Sequence, residues 1–431
     1  MLLRRDFLAQ SAAALAAGSM TVRSSAEDAP AAGDSPRGKA EHCVVVWLGG
    51  GAGQIDTWDP KRRGDPKEKT PGSYYDAIDT AIPGTQIVEH FPRCAKILDR
   101  FNLVRTVHHD VIDEHAAATN RMHTGRQPSE TVVYPSIGSV IAYQRGPVSD
   151  QVPAYVLIGY PSTTRGPGFL GAKGNYVYLT DTNSGPAGLA RPVDITANRQ
   201  ARREALLAKV REEYLARSGN SLPVQNYDAM IAEALRYGGP EFTRIFNLKE
   251  ESGSLRDDYG GEFGQRCLLT RRLLQSGVRF VEVSHNLNFL NGTGWDVHNE
   301  GILNQHKLIL ELDQALAALV TDLERVKLLD KTLIVVAGEF GRPAGFDGGG
   351  GRGHHGKCFT VALAGGGLKN GVTIGETDEL AMQIVSRPVS VPDLHATIYA
   401  ALGIDPHEPL YAGDRPVPTT DGGQPIRELF G

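Results

Sequence analysis

Glu339 stands directly after the apolar run Leu333 to Val336 and a short Ala-Gly step. It is followed by a Gly-rich stretch, GFDGGGGRGHH, that brings Arg352, His354 and His355. A carboxylate at the end of a buried strand, with imidazoles arriving from the next loop, is the material of metal sites and acid–base catalysis. A plain surface loop would explain the glycines but not the acid and the histidines. Asp296 and His298 stand two apart in GTGWDVHNE, so a locally extended backbone points both toward one ion. Asp56 follows VVVWLGGGAGQI, where the glycines permit a tight turn that presents a hard oxygen ligand, while Asp59-Pro60 reads as the start of a turn. Four histidines (His108, His109, His115, His123) crowd one short segment that also carries Glu114, Thr119 and Arg121.

Positioning these groups requires strands that end where they begin. Val44–Leu48, Leu103–Val107, Val152–Ile158, Arg279–Ser284, Leu333–Val336 and Phe359–Ala364 read as strands. Between them lie helical periodicities: 91–101, 114–123, 135–143, 199–218, 224–236, 256–275 and 308–329, with a last helix in VSVPDLHATIYAALGI. His115 falls in the first turn of its helix, where free N–H groups favour a negatively charged ligand. Asp313, inside a strongly periodic helix, reads as structural. The alternation predicts an α/β fold: a doubly wound, mostly parallel sheet with helices on both faces. Sites then gather at the carboxyl ends of the strands. The Gly- and Pro-rich stretch from 163 to about 194 reads as an ordered loop covering a site, and the helices up to about 275 as an insertion.

At 431 residues and a net charge of −5, the chain suits one large or two ordinary domains and does not suit nucleic acid as its main partner. The four cysteines lack CxxC spacing, so neither a zinc ribbon nor a disulfide framework is indicated; Cys43 and Cys358 read as buried small hydrophobes. The GxGxxG and P-loop patterns are absent after the first strand. Residues 1–32, with Arg4-Arg5-Asp6-Phe7-Leu8 before an Ala-rich segment too short to span a bilayer, resemble a twin-arginine export signal; residues 33–41 form a linker. Export to the periplasm or beyond is therefore expected, with no membrane span once the signal is removed.

The order of these features resembles the alkaline phosphatase and sulfatase superfamily. WLGGGAGQIDTWDP, HAAATNRMHTG, WDVHNE, GEFGR and GRGHH resemble more closely an exported, sulfatase-like family catalogued as domain of unknown function 1501. The likeness covers about 42–415. It implies an alkaline phosphatase-like domain over 42–431, with Asp56, Asp296, His298, Glu339 and His354 as ligands of a divalent metal ion. A mixed His/carboxylate set leans to zinc or manganese over calcium or magnesium. Two departures stand out. Where the superfamily carries Ser, Thr or a modified Cys, this chain has His115, and its acid–His pair is here Glu339-Phe340.

The chemistry expected is hydrolysis of an anionic phosphate or sulfate ester, small-molecule or glycan, by metal-activated water. His115 would serve as nucleophile, base or ligand, and Arg352 or Arg121 would pair with the nonbridging oxygens. The competing expectation is a catalytically degenerate, sulfatase-like binding protein of the cell envelope.

Overall fold

The structure, a computed structural model, describes residues 36–431 apart from 112, 190, 193 and 220. The expected export signal thus lies outside the described residues. In chain order the main elements are β1 (His42–Trp47), α1 (Pro92–Lys96), β2 (Phe101–His108), α2 (His115–Thr124), α3 (Ile137–Arg145), β3 (Tyr155–Ile158) and β4 (Val177–Leu179). There follow α4 (Ala197–Ser218), α5 (Leu222–Tyr237), α6 (Glu262–Gln275), β5 (Phe280–Ser284), α7 (Gln305–Arg325), β6 (Thr332–Ala337), β7 (Phe359–Gly365), β8 (Thr373–Ile374), β9 (Val389–Ser390) and α8 (Val391–Ala401).

Nine strands form one sheet in the order β8-β2-β7-β6-β1-β5-β3-β4, with β9 also pairing β2. All run parallel except β7, which is antiparallel to both β2 and β6. The β-branched runs form strands because they are buried on both faces. Along β1, Val44 and Val46 pack into one core with Leu269 and Leu273 of α6 and Leu316 and Val320 of α7. Cys43, Val45 and Trp47 face the other core, with Ile141 of α3 and Leu394 and Ile398 of α8. This is the doubly wound, mostly parallel α/β architecture anticipated from the pattern. β5 is buried throughout, Glu282 and Ser284 included, because helices cover both its faces. The 91–101 helix is shorter than its periodicity: α1 ends at Lys96 and a 3-10 turn, Leu98–Arg100, leads into β2.

The Gly/Pro-rich stretch folds as short 3-10 turns at Thr163–Arg165, Gly168–Leu170 and Ala172–Gly174 before β4. After α5 come a one-turn helix, Pro240–Thr243, and two 3-10 turns, Arg244–Phe246 and Leu248–Glu250. Among the described residues no helix is long and apolar enough to cross a membrane. All four cysteines are buried and free, and burial pushes the Cys358 thiol up to about 12.

Asp313 has the structural role read from its periodic helix. From α7 it accepts the backbone N–H of Cys94 (2.7 Å) and of Arg93 (3.0 Å), donors left free at the start of α1. Asp313→Ala should lower the unfolding free energy by about 1–2 kcal/mol, read from urea midpoints, because two N–H groups lose their acceptor.

Candidate metal centre

Four chain segments meet beyond the carboxyl ends of the central strands: the glycine turn after β1, the start of α2, the loop after β5 and the loop between β6 and β7. At Gly50 (φ +111°) a Cβ would lie 2.3 Å from the Asp296 nitrogen, so only glycine lets the β1 turn approach the β5 loop this closely. The Gly50 N–H donates to Glu339 Oε1 (2.8 Å), and His115 Nδ1 lies 2.7 Å from the same oxygen. That contact holds the His115 ring with Nε2 turned toward Asp296, whose Oδ1 is 3.4 Å away. His354 Nε2 lies 3.5 Å and His298 Nε2 3.1 Å from Asp296 Oδ1, and the two Nε2 atoms are 2.9 Å apart.

His115, Asp296 and His354 offer donor atoms all within 4.8 Å of one another, a set that could hold a metal ion. Two observations test the fit. His115 Nε2 and Glu339 Oε2 are buried with no hydrogen-bond partner, an arrangement that costs stability unless a ligand answers it. Moreover, His115 Nε2 and His354 Nε2 stand 3.4 and 3.5 Å from Asp296 Oδ1, near the edge of roughly 3.3–3.6 Å expected of a tetrahedron with bonds of about 2.0–2.2 Å. The residues fit a divalent ion. Glu339, expected as a direct ligand, has Oε1 occupied by His115 and Gly50. Its carboxylate orients the His115 ring through Oε1, while Oε2 makes no hydrogen bond.

Asp56 and Arg352 are a correction. Both are fully buried, and Arg352 grips the Asp56 carboxylate with Nε to Oδ2 at 2.6 Å and Nη2 to Oδ1 at 2.9 Å. The Tyr74 N–H also donates to Oδ1 (2.8 Å), and Arg352 spends its other donors on the carbonyls of Pro343, Ala344 and Gly72. Neither residue joins the His115 cluster; they clamp the Gly-rich loop to the segment after β1. Arg121 is displaced too. Its Nη1 reaches Gly125 O at the end of α2, so it serves that helix terminus rather than an anion.

Three residues escape the sequence reading. Arg342, the last residue of GEFGR, is fully buried and donates from Nη2 to Asp296 Oδ1 at 2.6 Å, with its remaining N–H groups on the carbonyls of Gly50, Gly51, Trp295, Arg352 and Gly353. Its position three residues after Glu339 is the available signal. Glu282 on β5 pairs with Arg165 of the covering loop (2.5 Å) and His123 of α2 (3.3 Å). Although burial opposes its ionisation, the charges of Arg165 and His123 bring its pKa down to about 2. Arg165 in turn lines a cleft of about 510 Å³, together with His115, Glu339, Trp47, Phe289 and Asn286. Tyr160 to Arg165 form one wall of this cleft.

Electrostatics couple these groups. Burial pulls the His115 imidazole down, but its contacts with Asp296 and Glu339 outweigh that and raise its pKa to about 9. Burial likewise opposes the Asp296 charge, yet His115, His354, the Gly292 N–H and Arg342 hold it well below the usual carboxylate range. Burial and the Arg342 charge lower His298, which favours the neutral ring a metal requires. At neutral pH without metal, the ionised Asp296 therefore faces both the Arg342 guanidinium and the His115 imidazolium.

Two outcomes follow. The His115 stabilisation is fully present below about pH 6.5, its ordinary value, and is lost as pH rises through about 9. Metal-free protein should accordingly lose urea resistance across that window more steeply than His115→Gln, and divalent-ion uptake there should release about one proton per ion in a weakly buffered titration. Separately, Arg352→Met should cost about 3–5 kcal/mol in urea unfolding by stranding the Asp56 carboxylate, with part of the loss recovered in Asp56→Asn/Arg352→Met.

No curated protein matches the chain. Among solved structures, the PsFucS1 sulfatase from Pseudoalteromonas sp. is similar at a TM-score of 0.42 and 12% identity, covering 91% of this chain and 76% of that one. The alkaline phosphatase of the Antarctic bacterium TAB5 gives 0.37 and 12%, covering 86% and 99%. The phosphonate monoester hydrolase SpPMH from Silicibacter pomeroyi gives 0.36 and 11%, covering 91% and 76%. The model of one family, described as a protein of unknown function (DUF1501), matches residues 40–430, and the chain belongs to that family.

Proposed function

We propose that this protein is an exported, metal-dependent hydrolase of an anionic phosphate or sulfate ester, acting in the periplasm or outside the cell. The observation that carries the reading is the convergence of His115, Asp296 and His354 beside a cleft, with a buried imidazole nitrogen that makes no hydrogen bond and faces the Asp296 carboxylate at 3.4 Å. His115, Asp296 and His354 would hold one divalent ion, zinc or manganese in preference to magnesium or calcium, with His298 beside them and Glu339 against the His115 ring. Such an ion supplies a Lewis acid and an acidified water in place of a hydroxyl nucleophile. Glu339 keeps His115 in one orientation, and Arg342 keeps Asp296 ionised. Arg165 takes over the role expected of Arg352 and Arg121: it is the arginine in the cleft lining, where it can meet a nonbridging oxygen. The cleft also presents the amides of Asn286, Asn288 and Asn291, the hydroxyls of Ser162, Thr163 and Thr164, and the rings of Trp47 and Phe289, a lining suited to a hydroxyl-rich leaving group such as a glycan.

One observation favours a second reading. Arg342 already places a positive charge on Asp296 Oδ1, so the cluster balances its charges without an ion. A catalytically degenerate, sulfatase-like binding protein of the cell envelope would be built this way. Elemental analysis of the purified chain beside Asp296→Ala/His354→Ala separates the two. Stoichiometric metal in the wild type, lost in the variant together with turnover of phosphate or sulfate esters, is the expected result. A folded wild type that contains no metal and gains none on titration would leave the binding protein as the reading.

A further inference from the structure

α4 is arranged with the wrong face outward for a helix of a finished globular surface. No residue along its 22 positions is buried. The side chains least exposed, Gln200, Glu204, Arg211, Leu215 and Ser218, recur at helical spacing and form a largely polar seam toward α5, where Arg211 Nε donates to Asp228 (2.7 Å). Leu206, Val210 and Tyr214, four residues apart and therefore on one stripe, are 65%, 57% and 57% exposed, with Leu207 alongside. Tyr227 and Met230 of α5 are exposed as well. Amphipathic helices normally bury this stripe and expose the polar one.

The charges identify what covers it. α4 carries six basic residues against three acidic ones, whereas the whole chain has a net charge of −5. Arg211 is paired with Asp228 and Arg217 with Glu213, but Arg199, Arg202, Arg203 and Lys209 are exposed and have no carboxylate partner among the described residues. At 100° per residue, Arg199 and Arg203 fall within the outward sector that holds Leu206, Val210 and Tyr214, and Arg202 borders it. A second copy of the chain would meet mainly like charge on this face. An anionic lipid surface would meet apolar side chains able to enter the headgroup boundary, flanked by arginines whose stems lie along it while their guanidinium groups contact phosphate. We infer that α4, with the adjoining edge of α5, is a membrane-surface docking face for anionic lipid headgroups. The helix would lie along the bilayer surface without spanning it. This is independent of what the metal centre does.

Tyr214→Trp provides a local probe, because Trp47, Trp58 and Trp295, the three native tryptophans, are all buried. Residues 1–35 are common to every variant, so emission from the introduced indole isolates the helix. With vesicles of phosphatidylglycerol and phosphatidylcholine, the expected result is a blue shift of that emission that weakens with added salt and is absent with phosphatidylcholine alone. Adding Leu206→Asp and Val210→Asp should abolish it, and Arg199→Gln/Arg202→Gln/Arg203→Gln should weaken vesicle affinity by at least about tenfold. All of these positions are exposed, so circular dichroism should be unchanged. An absence of any shift with anionic vesicles would overturn the inference. So would a shift that needs no lipid and follows protein concentration together with a doubled mass in light scattering, which would assign the face to a second copy.

Discussion

Two carboxylates, Asp296 and Glu339, are buried around the His115 ring at the carboxyl end of the sheet, and the surrounding structure is built to make that tolerable. An ionised acid away from water is costly unless charge and hydrogen bonds answer it. Glu339 receives the Gly50 N–H and the His115 ring; Asp296 receives Arg342, the Gly292 N–H and the edges of three imidazoles. These partners come from four separate segments, so the same electrostatic demand also joins the turn after β1, the start of α2, the loop after β5 and the loop after β6.

A second buried pair, Asp56–Arg352, does comparable work a short way off. It fastens the glycine-rich loop that carries His354, and so fixes where that imidazole arrives. The division is informative: one acid–guanidinium pair is closed, with every oxygen answered, while the other group leaves a ring nitrogen and a carboxylate oxygen unanswered. Structural pairs complete their hydrogen bonds. A site retains capacity for something else.

Much of this is legible from the chain itself. β-branched runs with helical periodicities between them indicate a doubly wound sheet regardless of detail, and acids placed just after such runs have to emerge at one end of it. Asp296, His298, Glu339, His354 and His115 are found that way. The pairing of Asp56 with Arg352 is not, because a carboxylate after a strand looks the same whether its partner is an ion or a guanidinium nearly three hundred residues away. Arg342 and Arg165 escape for a related reason. An arginine beside glycine and proline reads as a loop cation, and only the fold reveals that one is buried against Asp296 and the other held by Glu282. The short α1 shows the same limit at the level of elements, where tertiary covering overrides local periodicity.

Arg342 bears most directly on how the centre works. Its guanidinium is within hydrogen-bond reach of the oxygen that an ion would use, yet it is anchored by five backbone carbonyls, those of Gly50, Gly51, Trp295, Arg352 and Gly353. An ion held by Asp296 would share that carboxylate with a permanent cation. The imidazolium of His115, by contrast, can surrender its charge by losing a proton. Of the two positive charges that balance the buried acids, one is fixed and one is exchangeable, and the exchangeable one sits at the unpartnered nitrogen. On the reading proposed above, loss of the His115 proton would offset the charge of an incoming ion while Arg342 stays in place.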